Sequence, residues 1–158
     1  MNCRFLLLPA LAVSVGLTSC DTMESQNNQA ARMAMVAAIP TEAPGNYFIG
    51  RRYYKVDYKF WGFVRRPGEP WSTAKMVMLN EQSKLAPDRE ADKVGSDNNY
   101  EYKLTGEFSG QTVYEPSSNS FYPEFVLKGS ELRSATPASI YRTPGALDPQ
   151  RRVIVTPY

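Results

Sequence analysis

No histidine occurs anywhere in the chain, and its two cysteines are Cys3 and Cys20. Those absences exclude Ser-His-Asp and Cys-His catalysis and the usual zinc ligand sets. No apolar run approaches the ~20 residues needed to cross a bilayer as a helix. The longest, Phe5 to Val15, is interrupted by Pro9 and Ser14. Charge of either sign is scarce in excess: 18 Lys plus Arg against 16 Asp plus Glu, net +2. That balance does not suit a polyanion-coating protein, so no nucleic-acid partner is expected.

What is present begins with Arg4, the apolar run, and then Leu17-Thr18-Ser19-Cys20. A positive start, an apolar middle and a small-residue junction are the three parts of a secretory signal. With an aliphatic residue, two small residues and a Cys, this stretch resembles a bacterial lipoprotein signal peptide. The resemblance covers the first twenty residues only. It implies removal of residues 1–19 by cleavage between Ser19 and Cys20, with acyl chains added to Cys20. The mature chain would then hold no free thiol and no disulfide, and would be lipid-anchored in a bacterial cell envelope. One acyl chain anchors marginally and two or three hold firmly. Asp21 follows the cysteine, a residue that retains enterobacterial lipoproteins at the inner membrane; inner and outer membrane both stay open.

The chain also carries 10 Tyr, 7 Phe and 2 Trp, a composition that favours strands. Residues 20–46 read as a flexible linker, polar at Gln26 to Gln29 and punctuated by Pro40, Pro44 and Gly45. Within it, Ala30 to Ile39 has the composition of a short helix, marginal on its own. Residues 47–133 read as one β domain. Arg51 to Val64 is expected as a long first strand, apolar on both faces beyond Trp61 and bent near Gly62. A turn at Arg65 to Pro70 leads into a second strand, Trp71 to Leu79. Asn80 to Asn99 is a polar excursion. Tyr100 to Phe108 alternates cleanly, Gln111 to Glu115 follows, and Tyr122 to Lys128 forms a fifth strand in which Pro123 marks an edge or a strand start. Gly129 to Arg133 reads as a helical turn. Residues 134–158, divided by Pro137, Pro144, Pro149 and Pro157, read as an extended tail with one short strand at Val153 to Val155. The expected fold is all-β: a five- to six-stranded antiparallel barrel of the OB or SH3-like kind, or a compact sandwich.

Three groups of residues carry candidate chemistry. Arg51, Arg52, Tyr53, Trp61, Arg65, Arg66 and Trp71 would line an aromatic-basic ligand surface if the barrel brings them together; otherwise they are strand-end charges and core aromatics. Asp57, Glu101, Glu107, Glu115 and Glu124 supply carboxylates for a glycosidase-like pair, or for cross-strand pairing with lysines. Asp88, Glu90, Asp92, Asp97 and Asn98 crowd oxygen ligands into one loop without calcium-loop spacing, and Arg89 and Lys93 interrupt them, so a solvated loop is expected and no metal site. The expectation is a non-enzymatic envelope lipoprotein without a cofactor, acting in structure or protein interaction. The Pro-rich tail and an exposed edge at Tyr122 to Lys128 would dock the partner. A carbohydrate- or peptidoglycan-binding module is the alternative, and a small carboxylate-dependent hydrolase a third.

Overall fold

A computed structural model describes residues 20–158, with side chains from Gln26 onward. The expected signal segment, its Ser19 junction and the Cys20 side chain lie outside what is described. Five strands form a closed barrel in the order β1-β2-β3-β5-β4. They are β1 Phe48–Arg52, β2 Gly62–Arg65, β3 Lys75–Asn80, β4 Glu101–Glu115 and β5 Ser120–Ser134. Neighbours run antiparallel except β3 and β5, which pair parallel over three residues. A closed five-stranded barrel with one such crossover is a Greek-key barrel of the OB type, and the purely antiparallel expectation is corrected at that one pair.

Burial explains the strand boundaries. Phe48, Val64, Val77, Leu104, Phe125 and Leu127 point into the barrel and pack together. Phe48 meets the Phe125 ring edge-on at 5.0 Å. In β4, Tyr102 and Leu104 are buried while Lys103 and Thr105 are exposed, the alternation its sequence announces. β1 and β2 differ: both are buried along their whole length, on both faces. Their outer faces carry Ile49, Arg51, Phe63 and Arg65. A second apolar cluster covers them, drawing Ile39 from the N-terminal side, Trp71 from the β2–β3 connection, and Ile140 and Tyr141 from the C-terminal side. Gly62 is required where the strands meet, because a Cβ there would lie 2.2 Å from the Arg51 carbonyl oxygen.

Several expected elements change form. The expected Arg51–Val64 strand is two strands joined by an irregular loop, residues 53–61. Trp71 opens a 3-10 turn, Trp71–Thr73, before β3. The third and fourth expected strands are one, β4, and Gly110 at φ +83° lies where its register shifts against β5. β5 continues through Gly129 to Arg133 as strand rather than helical turn, because β4 pairs with it as far as Ser134. Most of the expected linker is helix α1, Cys20–Ala38, continued by a 3-10 turn at Ile39–Thr41. Its Ala, Met and Gln content favours helix. Packing of Met35 and Ile39 on the outer cluster adds the tertiary support an isolated helix lacks. The polar excursion contains a one-turn helix, α2 Pro87–Glu90. Among the tail residues, Ile140, Tyr141 and Ala146 are buried, so the tail is part of the folded body, and Val153 to Val155 adds no strand.

Candidate functional site

Of the seven residues read as an aromatic-basic surface, six are buried: Arg51, Arg52, Tyr53, Trp61, Arg65 and Trp71. Only Arg66 is exposed, its guanidinium 4.0 Å from the Phe48 ring centre. The barrel does bring most of them together, but inward. On the outer face the Trp71 indole lies between two guanidinium groups, 5.1 Å from Arg51 and 4.6 Å from Arg65. Buried cations need partners, and each has one from a distant part of the chain. Arg51 pairs with Glu101 at 2.6 Å, and Arg65 grips both oxygens of Glu42 at 2.6 and 2.8 Å. Arg133 joins the two pairs, 3.1 Å from Glu42 and 3.1 Å from Glu101. Burial alone would raise the Glu42 carboxyl. The Arg65 hydrogen bond, the Gly68 N–H and Arg133 outweigh it and hold the group at about 2. Burial lowers the Arg51 guanidinium, and Glu101 opposes the change.

Arg52 binds a separate carboxylate pair, Asp88 at 3.0 Å and Asp97 at 3.4 Å, and also donates to the Trp61 carbonyl. Tyr102 donates to Asp97 at 2.9 Å, and the Gly95 N–H to Asp88 at 2.9 Å. One cation faces two carboxylates here, so burial and then Asp88 push Asp97 above the usual carboxylate range. Asp88 and Asp97 are therefore the anchor of the loop rather than solvated residues. Glu90 pairs with Lys84 and Asn98 bonds the Tyr54 N–H and the Leu147 carbonyl. Among the described residues no three acidic, His or Cys side chains converge as metal ligands.

The carboxylates considered for acid-base work are dispersed. Asp57 pairs with Arg152, Glu107 with Lys128, and Glu124 accepts from Asn80. Glu115 is buried and accepts the N–H groups of Ser117 and Ser118 at the β4–β5 turn. What remains of the aromatic-basic groove has a volume of about 310 Å³ beside the 53–61 loop. Tyr54, Tyr58, Lys59 and Arg89 line it, with Arg52 and Trp61 at its buried side.

Two features were not legible as sites. Lys55, inside the expected first strand, is 1 % exposed. It donates to the carbonyls of Ala146 and Asp148 at 2.6 and 2.7 Å, and burial lowers its ammonium. Only the tail's position, some ninety residues on, could have revealed this. The second is the far end of the β4–β5 hairpin. β1 pairs with β4 only to Leu104, and β3 with β5 only over Glu124 to Val126, so among the described residues Thr105–Glu115 has β5 as its sole strand partner. Near the tip Tyr114 and Phe121 stand opposite each other, ring centres 5.2 Å apart, 47 % and 67 % exposed. Tyr122 on the other face packs against Phe60 at 5.7 Å. The expected edge at Tyr122 to Lys128 is closed by β3 only over Glu124 to Val126; elsewhere β4 is its one strand partner among the described residues, and β4 is itself open on its other side from Thr105. Compared with known proteins, the chain matches no family model, no curated protein and no solved structure.

Proposed function

We propose that the chain is a lipid-anchored protein of a bacterial cell envelope with a non-enzymatic docking role, the β4–β5 hairpin end being its docking arm. The observation that carries the docking role is the cross-strand pair Tyr114 and Phe121, held in the open on a two-stranded arm beside an eleven-residue free edge. Aromatic side chains with a rigid backbone are common interface anchors, and a free edge accepts a partner strand. The anchor rests on Leu17-Thr18-Ser19-Cys20. Because Cys20 lies within α1 and Arg32 and Met35 fasten the later part of that helix to the body, residues 20–31 would act as a spacer of about 18 Å rather than a slack tether. A non-catalytic reading is supported by the buried carboxylates, which are each bonded to a cation or a main-chain N–H.

Two measurements test this. Intact mass of membrane-extracted protein should give a chain beginning at Cys20 with acyl mass, lost in Cys20→Ala; an unmodified chain sinks the anchor. A photo-crosslinking residue at position 121 should give one discrete protein adduct in whole cells, absent when the same residue replaces exposed Gln82. Equal labelling from both positions would remove the docking arm. The groove of Tyr54, Tyr58, Lys59 and Arg89 favours glycan binding as the second reading. It predicts quenching or shift of tyrosine and tryptophan emission by peptidoglycan fragments, and loses its support without one.

A further inference from the structure

The C-terminal segment is held in an unusual way. Its main-chain carbonyls accept from the rest of the molecule, and the bonded main-chain N–H groups after Ser134 find acceptors within residues 134–158, except that of Val155, which meets the Tyr53 hydroxyl. Four consecutive carbonyls are gripped: Ala146 and Asp148 by Lys55, Leu147 by Asn98, Pro149 by the Val56 N–H. Further along, Tyr53 donates to Val153 at 2.9 Å. Nearer the hinge, Arg51 donates to Ala138 at 3.0 Å and Arg32 to Tyr141 at 2.6 Å. A cleft whose contacts are mostly donors suits a chain rich in proline, which has no N–H to give. This segment has Pro137, Pro144, Pro149 and Pro157. Specificity comes from two side chains, Ile140 and Tyr141, which enter the outer cluster; the Tyr141 ring lies 5.1 Å from Tyr53.

We propose that this cleft on the outer face of β1 and β2 is a binding site for a proline-rich segment that turns at residues 144–147 and 149–150. Its occupant is exchangeable between molecules: residues 137–158 of one copy fill the cleft of a second. The hinge favours exchange, because β5 ends at Ser134 and Ala135 and Thr136 are exposed before Pro137. The tail also pairs with no strand of its own barrel. Exchange of such an element makes no contact that the single copy lacks, so its cost is low.

The test uses the full chain. A photo-crosslinking residue at position 147, in a copy carrying one tag, should join it to a second copy carrying another. Crosslinks confined to the same chain overturn the proposal. In a full chain with a protease site placed between Ala135 and Thr136, cutting should leave the tail bound. A labelled peptide of residues 137–158 should then replace it saturably, faster than global unfolding followed by amide exchange in β4. Ile140→Ser with Tyr141→Ser, made in the peptide so that the barrel is untouched, should weaken binding by at least about tenfold. Exchange only at the global unfolding rate overturns the proposal, as does loss of fold on cutting. Equal binding of a scrambled peptide with the same prolines overturns the assignment to a second copy.

Discussion

The two faces of the β1–β2 pair are both buried, but by different chemistry. The inner face meets strands, Trp61 of the 53–61 loop, and α2 with the residues on either side of it. Its neighbours are Leu104, Phe125 and Leu127, with Arg52 and its carboxylates at one end. The outer face meets the two chain extremities and is studded with Arg51, Arg65 and Lys55, each bonded to an acid or to carbonyls. Dispersion and water exclusion hold the inner face, and their strength hardly depends on pH. The outer face depends on charged groups that are stable only while every partner is in place. A fault inside should therefore cost the whole fold, and a fault outside should first loosen the extremities.

The largest effect is expected inside. Phe125 is fully buried, with the Phe48 and Phe108 rings edge-on at 5.0 and 5.3 Å. Phe125→Ala should lose about 3–5 kcal/mol in denaturant melts, through lost transfer energy and the cavity left behind, with all probes moving together. Outside, Lys55→Met keeps the aliphatic stem but leaves the Ala146 and Asp148 carbonyls without a donor, a loss of about 1–3 kcal/mol. Limited proteolysis should then cut residues 134–158 while β4 amides stay protected. If β4 exchange accelerates equally, the two faces are one cooperative unit and the distinction fails.

This division also explains what could be read from sequence. The inner face follows period two, so Tyr102, Leu104 and the polar Lys103 between them announce β4 directly. Tyr54, Val56 and Tyr58 show the same period, yet residues 53–61 are a loop. Their side chains answer to the tail and to α2, not to neighbouring strands. The arginine doublets read as solvated strand ends because the acids that pair with Arg51, Arg52 and Arg65 lie far along the chain. Glu101, Asp88, Asp97 and Glu42 neutralise these three from 23 to 50 residues away. Spacing along the chain holds no record of those pairings. The candidate surface failed for that reason, while the barrel itself was legible.

Acid should separate the faces next. The Glu42 carboxyl titrates near 4.5 when free and at about 2 in the fold. A depressed folded value means the folded state binds this proton less readily, so the contribution is complete above about pH 4.5. It fades as pH falls and is gone below about 2. Urea melts at pH 5 should show Glu42→Gln less stable than the parent, with the gap closing toward pH 2. A gap independent of pH would assign the loss to packing instead of to the Arg65 and Arg133 pairs.

The smallest effect belongs to the region that lies outside both faces. Tyr114 and Phe121 touch each other near the hairpin tip and bury little else, so replacing both with Ser removes one cross-strand aromatic pair and the exposed hydrogen bond from the Tyr114 hydroxyl to Asn119, about 0.5–1 kcal/mol. Phe125→Ala and Lys55→Met act through contacts that the isolated chain makes; this pair acts mainly through contacts with something else. Melting should therefore be nearly unchanged while crosslinking from a probe at exposed Gln111 on the same arm is lost. A large drop in stability would mean that the arm is braced by the barrel, as Tyr122 against Phe60 already is on its other face. The exposed aromatics would then belong to the fold rather than to a partner.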